Sequence, residues 1–288
     1  MIFQRLTLSP GLYIVSTPIG NARDITLRAL DVLASADVLA AEDTRTARRL
    51  MEIHGVPLNG RTVVAYHDHS GPGARRRLMD AIGNGSSVAY VSEAGTPLVA
   101  DPGYKLVDAA IEEGHTVTAA PGASAPLAAL AVSGLPTDRF TFLGFPPTSG
   151  AARRLWMEGV RDAGMTVSVF ESPKRIQETL AELCEIVGDD RKACLCRELT
   201  KRFEEARRGT LRELADGLQQ APVKGECVLL IGPGEKRQAT DQEVDLALSA
   251  ALATQSVKSA AEEVAEALGL RRRDVYQRAL ALRAEKDS

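Results

Sequence analysis

A chain of 288 residues, 44% of them hydrophobic, has enough apolar mass for two modest α/β domains, and its net charge of −3 excludes the global positive field of a protein that coats naked nucleic acid. No apolar stretch reaches the roughly 18 residues of a membrane span, and the opening MIFQRLTLSPG lacks a charged segment leading into a long apolar one. No membrane association is therefore expected, and a cytoplasmic location follows.

From the N-terminus, short β-rich runs alternate with amphipathic stretches. Strands are predicted at 12–16, 37–41, 62–66, 88–92 and 116–119, with helices over 27–33, 45–53, 75–82 and 104–113. That alternation predicts a largely parallel sheet with helices on both faces, in a first domain at 1–120. Pro121-Gly122 marks a crossing into a second α/β domain at 121–236, with strands at 140–145, 166–171, 192–198 and 226–231. Helices fit 124–133, 151–162, 173–187 and 211–219 there. The remainder, 237–288, has no strand signal. Ser256, Val257, Ala260, Ala261, Val264 and Leu268 form a helical face ended by Gly269, and Asp274, Val275 and Leu280 start another. Two short helices across a glycine turn, with Arg271–Arg273 before the second, predict a helix-turn-helix-like tail.

Two Gly/Pro turns carry the functional signal. Leu12-Tyr13-Ile14-Val15 runs into Ser16-Thr17-Pro18-Ile19-Gly20-Asn21, and Val88-Ala89-Tyr90-Val91 runs into Ser92-Glu93-Ala94-Gly95-Thr96-Pro97. In open α/β sheets ligands bind at the carboxyl ends of strands, where these turns lie. Neither turn has the glycine pattern of a dinucleotide or phosphate loop. Proline removes amide donors but fixes the backbone, so the turns suit a cofactor held by shape and carbonyl contacts.

These sequences resemble the tetrapyrrole methylase superfamily, and within it the branch that methylates a ribose 2'-hydroxyl of cytidine in 16S ribosomal RNA. The resemblance runs through LYIVSTPIGN at 12–21, DITLRAL at 24–30, AAEDTRTARRL at 40–50 and YHDHS at 66–70. It continues through VSEAGTPLVADPGY at 91–104, PGASAPLAALAVSGLP at 121–136, FLGF at 142–145 and FESPKRI at 170–176. RELTKRFEE at 197–205 and KGECVLLIGP at 224–233 complete it. The family usually carries Asp where this chain has Glu93. The resemblance implies two α/β domains with a cofactor cleft between them, a homodimer, and S-adenosylmethionine as cofactor. Carried over residue by residue, it places Pro18, Ser92, Glu93, Ala94, Thr96, Val99, Ser124, Ala125, Glu171, Gly225 and Glu226 around that cofactor. A natural alternative for Ser124 is the cap of the helix that follows. The implied partner is 16S rRNA in the small ribosomal subunit.

Methyl transfer to a ribose hydroxyl needs a base, or a cation that favours the developing alkoxide. Glu198 and Lys201 follow a strand in RELTK, Lys174 follows another in FESPKR, and His67 lies in YHDHS; these are the catalytic candidates, with the base left open. Glu171 and Glu198 serve equally well to order a loop or touch the cofactor. His67 and His69 flank Asp68, yet no other His/Cys cluster completes a metal site, and none is expected. Cys184, Cys194, Cys196 and Cys227 lack metal spacing and read as small buried thiols. Basic clusters at Arg45/Arg48/Arg49, Arg75–Arg77, Arg207-Arg208 and Arg271–Arg273 read either as solvated faces or as RNA contacts. The alternatives to an RNA ribose methyltransferase are a porphyrinoid methylase of the same fold and a non-catalytic ribosome-binding module.

Overall fold

The computed structural model of the chain describes residues 2–67, 70–234 and 240–286, with 284–286 by backbone alone. Residues up to Pro233 form one compact unit and those from Gly234 a second. In the first unit, β1 (Gly11–Val15), β2 (Val38–Ala41), β3 (Val63–Ala65), β4 (Ser87–Val91) and β5 (Val117–Ala120) form a sheet in the order β3-β2-β4-β1-β5. Every neighbouring pair is parallel. Alternating side chains divide between two covered faces. Val15, Ala89 and Val91 pack on α1 (Leu27–Ser35) and α2 (Thr44–Ile53). Leu12, Ile14, Val88 and Tyr90 pack on α3 (Pro72–Gly83) and α4 (Tyr104–Glu112). Thr26 caps α1 through the Ala29 amide, and Asp43 caps α2 through the Arg45 and Thr46 amides. Because the strands are parallel, the turns that follow β1 to β5 share one edge.

The second sheet contains β6 (Phe140–Phe142), β7 (Thr166–Glu171), β8 (Lys192–Arg197), β9 (Glu205–Thr210) and β10 (Cys227–Ile231), in the order β6-β7-β10-β8-β9. Only β6 and β7 are parallel; the other pairs are antiparallel. Along β10, Cys227, Leu229 and Ile231 face α6 (Gly150–Asp162), α7 (Ile176–Val187) and α8 (Leu211–Gln220). Val228 and Leu230 face the opposite core with α5 (Ala125–Ser133). Ile19, from the turn after β1, also belongs to that second core, at 7% exposure. Burying such a side chain contributes about 1.5–3 kcal/mol, so the first turn is anchored in the second sheet.

β9 is absent from the sequence-based expectation because EARRGT shows no apolar alternation. It forms instead as an edge strand carrying charge, with Glu205 opposite Arg197 in register and their side chains 2.7 Å apart. The tail also differs from expectation, with three helices rather than two: α9 (Asp241–Ala251), α10 (Val257–Leu268) and α11 (Arg272–Lys286). α9 offers only Val244 and Leu248 as buried positions, but Thr240 and Glu243 close a capping box that starts it. Val244, Leu248, Ala261, Val264, Ala265, Val275 and Ala279 make the tail's own core, and Arg278 pairs with Asp245 to tie α11 to α9. The boundary expected at 236–237 lies outside the described residues.

Candidate active site

β1 and β4 are neighbours, so the two Gly/Pro turns leave the sheet side by side. They are stapled through their backbones. The Thr17 amide donates to the Gly95 carbonyl at 2.8 Å, and the Gly95 amide donates back to Thr17 at 3.1 Å. Ser16 donates its hydroxyl to Thr96 at 3.2 Å, and Thr96 donates onward to the Ala123 carbonyl at 3.0 Å. The buried Ser92 hydroxyl reaches the Gly95 carbonyl at 3.0 Å. A Cβ on Gly122 would lie 2.9 Å from the Ser16 Cβ, so glycine is required for that approach. Segments 16–21, 92–99 and 121–125 therefore act as one rigid surface. Pro18, Val99 and Ala125 are half-buried, while Glu93 and Ala94 are exposed. Ser124 takes the N-cap position of α5, but its hydroxyl makes no cap hydrogen bond. Leu98 and Ala100 hold left-handed φ of 73° and 59°, a strain of about 1–3 kcal/mol each that only an over-determined loop sustains.

Carboxylates gather on the same edge. Glu42, which follows β2, accepts the Glu93 amide at 3.1 Å. Burial, and then the charges of Glu42 and Glu93, push the Asp101 carboxyl up to about 7. Such a cluster favours a cationic ligand. Asp101 lies within VSEAGTPLVADPGY, where nothing in the spacing announces its partners.

One end of the second sheet carries a lysine held between two carboxylates. Arg197 and Glu171 both pair with Cys227 in register, which brings the residues around β7, β8 and β10 to one end. The Glu198 amide donates to the Glu226 carbonyl, and the Glu226 amide donates to the Glu198 carboxylate, both at 3.0 Å. Lys201 Nζ bridges the Glu198 and Glu226 carboxylates at 3.0 Å each. The Glu226 amide, helped by Lys201, holds the Glu198 carboxyl below its ordinary range. Burial pulls the Lys201 ammonium downward, but its bonds to Glu226 and Glu198 outweigh burial and keep it above its usual value. Gly225, at φ 87°, makes room for this: a Cβ there would lie 2.3 Å from the Glu198 carboxylate. Glu198 and Thr200 themselves hold positive φ of 50° and 64°.

The two edges meet. The Asn21 amide donates to Thr200 Oγ1 at 3.0 Å, and a Cβ on Gly20 would lie 2.4 Å from Lys201 Cγ. Ile19, Asn21 and Thr200 are the residues that sequence reasoning missed, although Gly20 in the first turn was the available signal.

Other candidates stand apart. The Glu171 carboxylate is buried, accepting the Ser172 amide at 2.8 Å and the Thr179 hydroxyl at 2.7 Å, with Arg175 3.7 Å away. That is the loop-ordering role. Lys174 is exposed in the turn before α7. His67 follows β3, its amide donating to Ser70 Oγ at 2.9 Å; Asp68 and His69 lie outside the described residues. All four cysteines are buried, with the Cys194 and Cys196 sulfurs 3.7 Å apart. Many of the clustered arginines are occupied internally: Arg45 by Asp43, Arg76 by Asp80, Arg207 by Glu205, Arg208 by the Val132 carbonyl, Arg271 by Asp274 and Arg272 by Glu262. Among the described residues no group of three His, Cys, Asp or Glu is placed to hold a metal, and no helix is long and apolar enough to cross a membrane.

Residues 11–215 match the Tetrapyrrole (Corrin/Porphyrin) Methylases, and residues 238–283 match the RsmI C-terminal HTH domain. A uroporphyrin-III C-methyltransferase from Thermus thermophilus, solved with S-adenosylhomocysteine, shares the fold at a TM-score of 0.54 and 21% identity, covering 77% of this chain and 97% of that one. The chain is an S-adenosylmethionine-dependent methyltransferase of the tetrapyrrole methylase class. More similar still is the ribosomal RNA small subunit methyltransferase I of Mesorhizobium japonicum, 46% identical over 96% of this chain and 93% of that protein. Its counterpart in Halalkalibacterium halodurans is 40% identical over 92% and 93%. The chain belongs to the ribosomal RNA small subunit methyltransferase I family. The stapled turns present small side chains, a Ser124 hydroxyl that makes no cap bond and the clustered Glu42, Glu93 and Asp101 carboxylates, a setting compatible with a ligand that carries a positive sulfonium.

Proposed function

We propose that the chain methylates the 2'-hydroxyl of a cytidine ribose in 16S rRNA of the small ribosomal subunit, in the cytoplasm and as a homodimer. The observation that carries this reading is the Asn21–Thr200 bond, which holds the Glu198–Lys201–Glu226 set against the first cofactor turn. S-adenosylmethionine supplies a methyl group already activated on sulfur, so the protein's task is to position the acceptor and support its oxygen. Lys201, kept protonated by two carboxylates, is a cation for the alkoxide that develops as the hydroxyl loses its proton. Glu198, held ionised, orients Lys201 and is a weak proton acceptor by virtue of its lowered pKa. The turns around Pro18, Ser92, Glu93, Ala94, Thr96, Val99, Ser124 and Ala125, with Gly225 and Glu226 from the second sheet, hold the cofactor. Support for an RNA acceptor comes from the names of relatives at 46% and 40% identity. The three-helix tail adds a docking element.

Lys201→Ala and Glu198→Gln should each lower turnover on unmodified small subunits by about 10²–10⁴-fold. Nucleoside analysis of the product should give 2'-O-methylcytidine. A base-methylated cytidine alone overturns the assigned acceptor, and near-normal turnover in both variants moves the catalytic role to His67 or Lys174. Light scattering should report a mass twice the 30.8 kDa of one chain; a monomer at micromolar concentration contradicts the dimer.

A further inference from the structure

At the carboxyl end of β3 lies a cavity of about 150 Å³, lined by Tyr66, Ser70, Gly71, Pro72, Arg75 and Lys105. Among the described residues its lining contains two cations and no acid. Neither Arg75 nor Lys105 has an ion pair or hydrogen bond among the described residues, whereas the adjacent Arg76 is held by Asp80 at 2.8 Å and by Glu113 at 3.6 Å. A wider groove between α3 and α4 shares Pro72, Arg75 and Lys105 with the cavity and also holds the acids Asp108, Glu112 and Glu113, none of which forms an ion pair with Arg75 or Lys105. Two like charges beside one small cavity repel each other until an anion joins them. We propose that this cavity holds a phosphodiester group of the RNA substrate, a few nucleotides from the acceptor ribose. The inference rests on the RNA reading above.

Placement and chemistry agree. The strand order puts β3 three positions from β1, about 14 Å at the usual strand spacing, on the edge that carries the cofactor turns. A short run of nucleotides spans that distance. The cofactor carries no phosphate, so a phosphodiester at this edge belongs to the substrate. Ser70 Oγ accepts the His67 amide and keeps its own hydrogen to donate. The start of α3, where Gly71 makes no side-chain cap, adds the favourable end of the helix dipole. A chain of net charge −3 neutralises phosphate only where cations are uncommitted, and here two of them share one cavity.

The test measures binding of unmodified small-subunit rRNA to the full chain across a salt series, for Arg75→Ala with Lys105→Ala, for Arg75→Lys with Lys105→Arg, and for Arg76→Ala. The double alanine variant should bind RNA more weakly, with the slope of log K against log salt reduced by about one. It should raise KM for RNA and leave calorimetric affinity for S-adenosylmethionine unchanged. The charge-retaining pair should keep the slope, and so should Arg76→Ala, whose guanidinium is already paired. An unaltered slope in a double alanine variant, while the parent chain binds and methylates RNA, overturns this proposal alone. Failure of the parent chain to bind or methylate RNA overturns the RNA reading and this proposal with it.

Discussion

Burial, and then the charges of Glu42 and Glu93, raise the Asp101 carboxyl toward neutrality. Its carboxyl moves from 3.8 in an open chain to about 7 in the fold. Below the lower value both states hold the proton. Between the two values the folded chain keeps a proton that the unfolded chain has released, so stability falls as pH rises through that window. Asp101→Asn removes the dependence. Its thermal midpoint should gain on the parent from about pH 4 to about pH 7 and hold a constant lead above that; a lead independent of pH contradicts the assignment. Glu171 gives the opposite lesson. Its residue type and place after a strand matched a cofactor contact, but its oxygens are taken by Ser172 and Thr179 inside the protein. Residue type was legible in the sequence; the partners that set each role were not, because Asn21 and Thr200 meet across 179 positions of chain.

Elements with apolar periodicity were legible, and those held by charge or capping were not. β1, β4 and β10 announce themselves as buried runs, and α1 to α4 as amphipathic stretches. β9 and α9 exist because neighbours complete them: Arg197 across the strand pair in one case, the Thr240–Glu243 box in the other. The turn after β1 is the element that reaches both sheets. A Cβ added at Gly20 would lie 2.4 Å from Lys201 Cγ and 2.7 Å from Thr200 Oγ1, so the RELTK loop has to shift. Gly20→Ala should lower turnover by about 10²-fold, the penalty for displacing a reacting group by an ångström or so. Affinity for S-adenosylmethionine should change little, because the Thr17–Gly95 staple is untouched. Full turnover in Gly20→Ala would dissociate this contact from catalysis.

At the scale of the molecule, the tail carries its own core, built from residues between Val244 and Ala279. A chain ended after Pro233 should therefore fold, melt cooperatively and bind S-adenosylmethionine, while its affinity for the small subunit drops. Loss of cofactor binding in a folded truncation would assign the tail a structural role instead. The sequence by itself determined the parallel first sheet, the turns at its carboxyl edge and the family, since these rest on local periodicity, Gly/Pro placement and ordered motifs. Only the tertiary structure decided which charges remain available. Most clustered arginines found carboxylates or carbonyls, while Arg75 and Lys105 were left together in one cavity. It also decided that the first turn belongs to both sheets, through Ile19 in the second core and Asn21 on Thr200. The physical reason is common to both: electrostatic pairing and side-chain packing depend on distances in space, and residues far apart in the chain set those distances only once the sheets have formed.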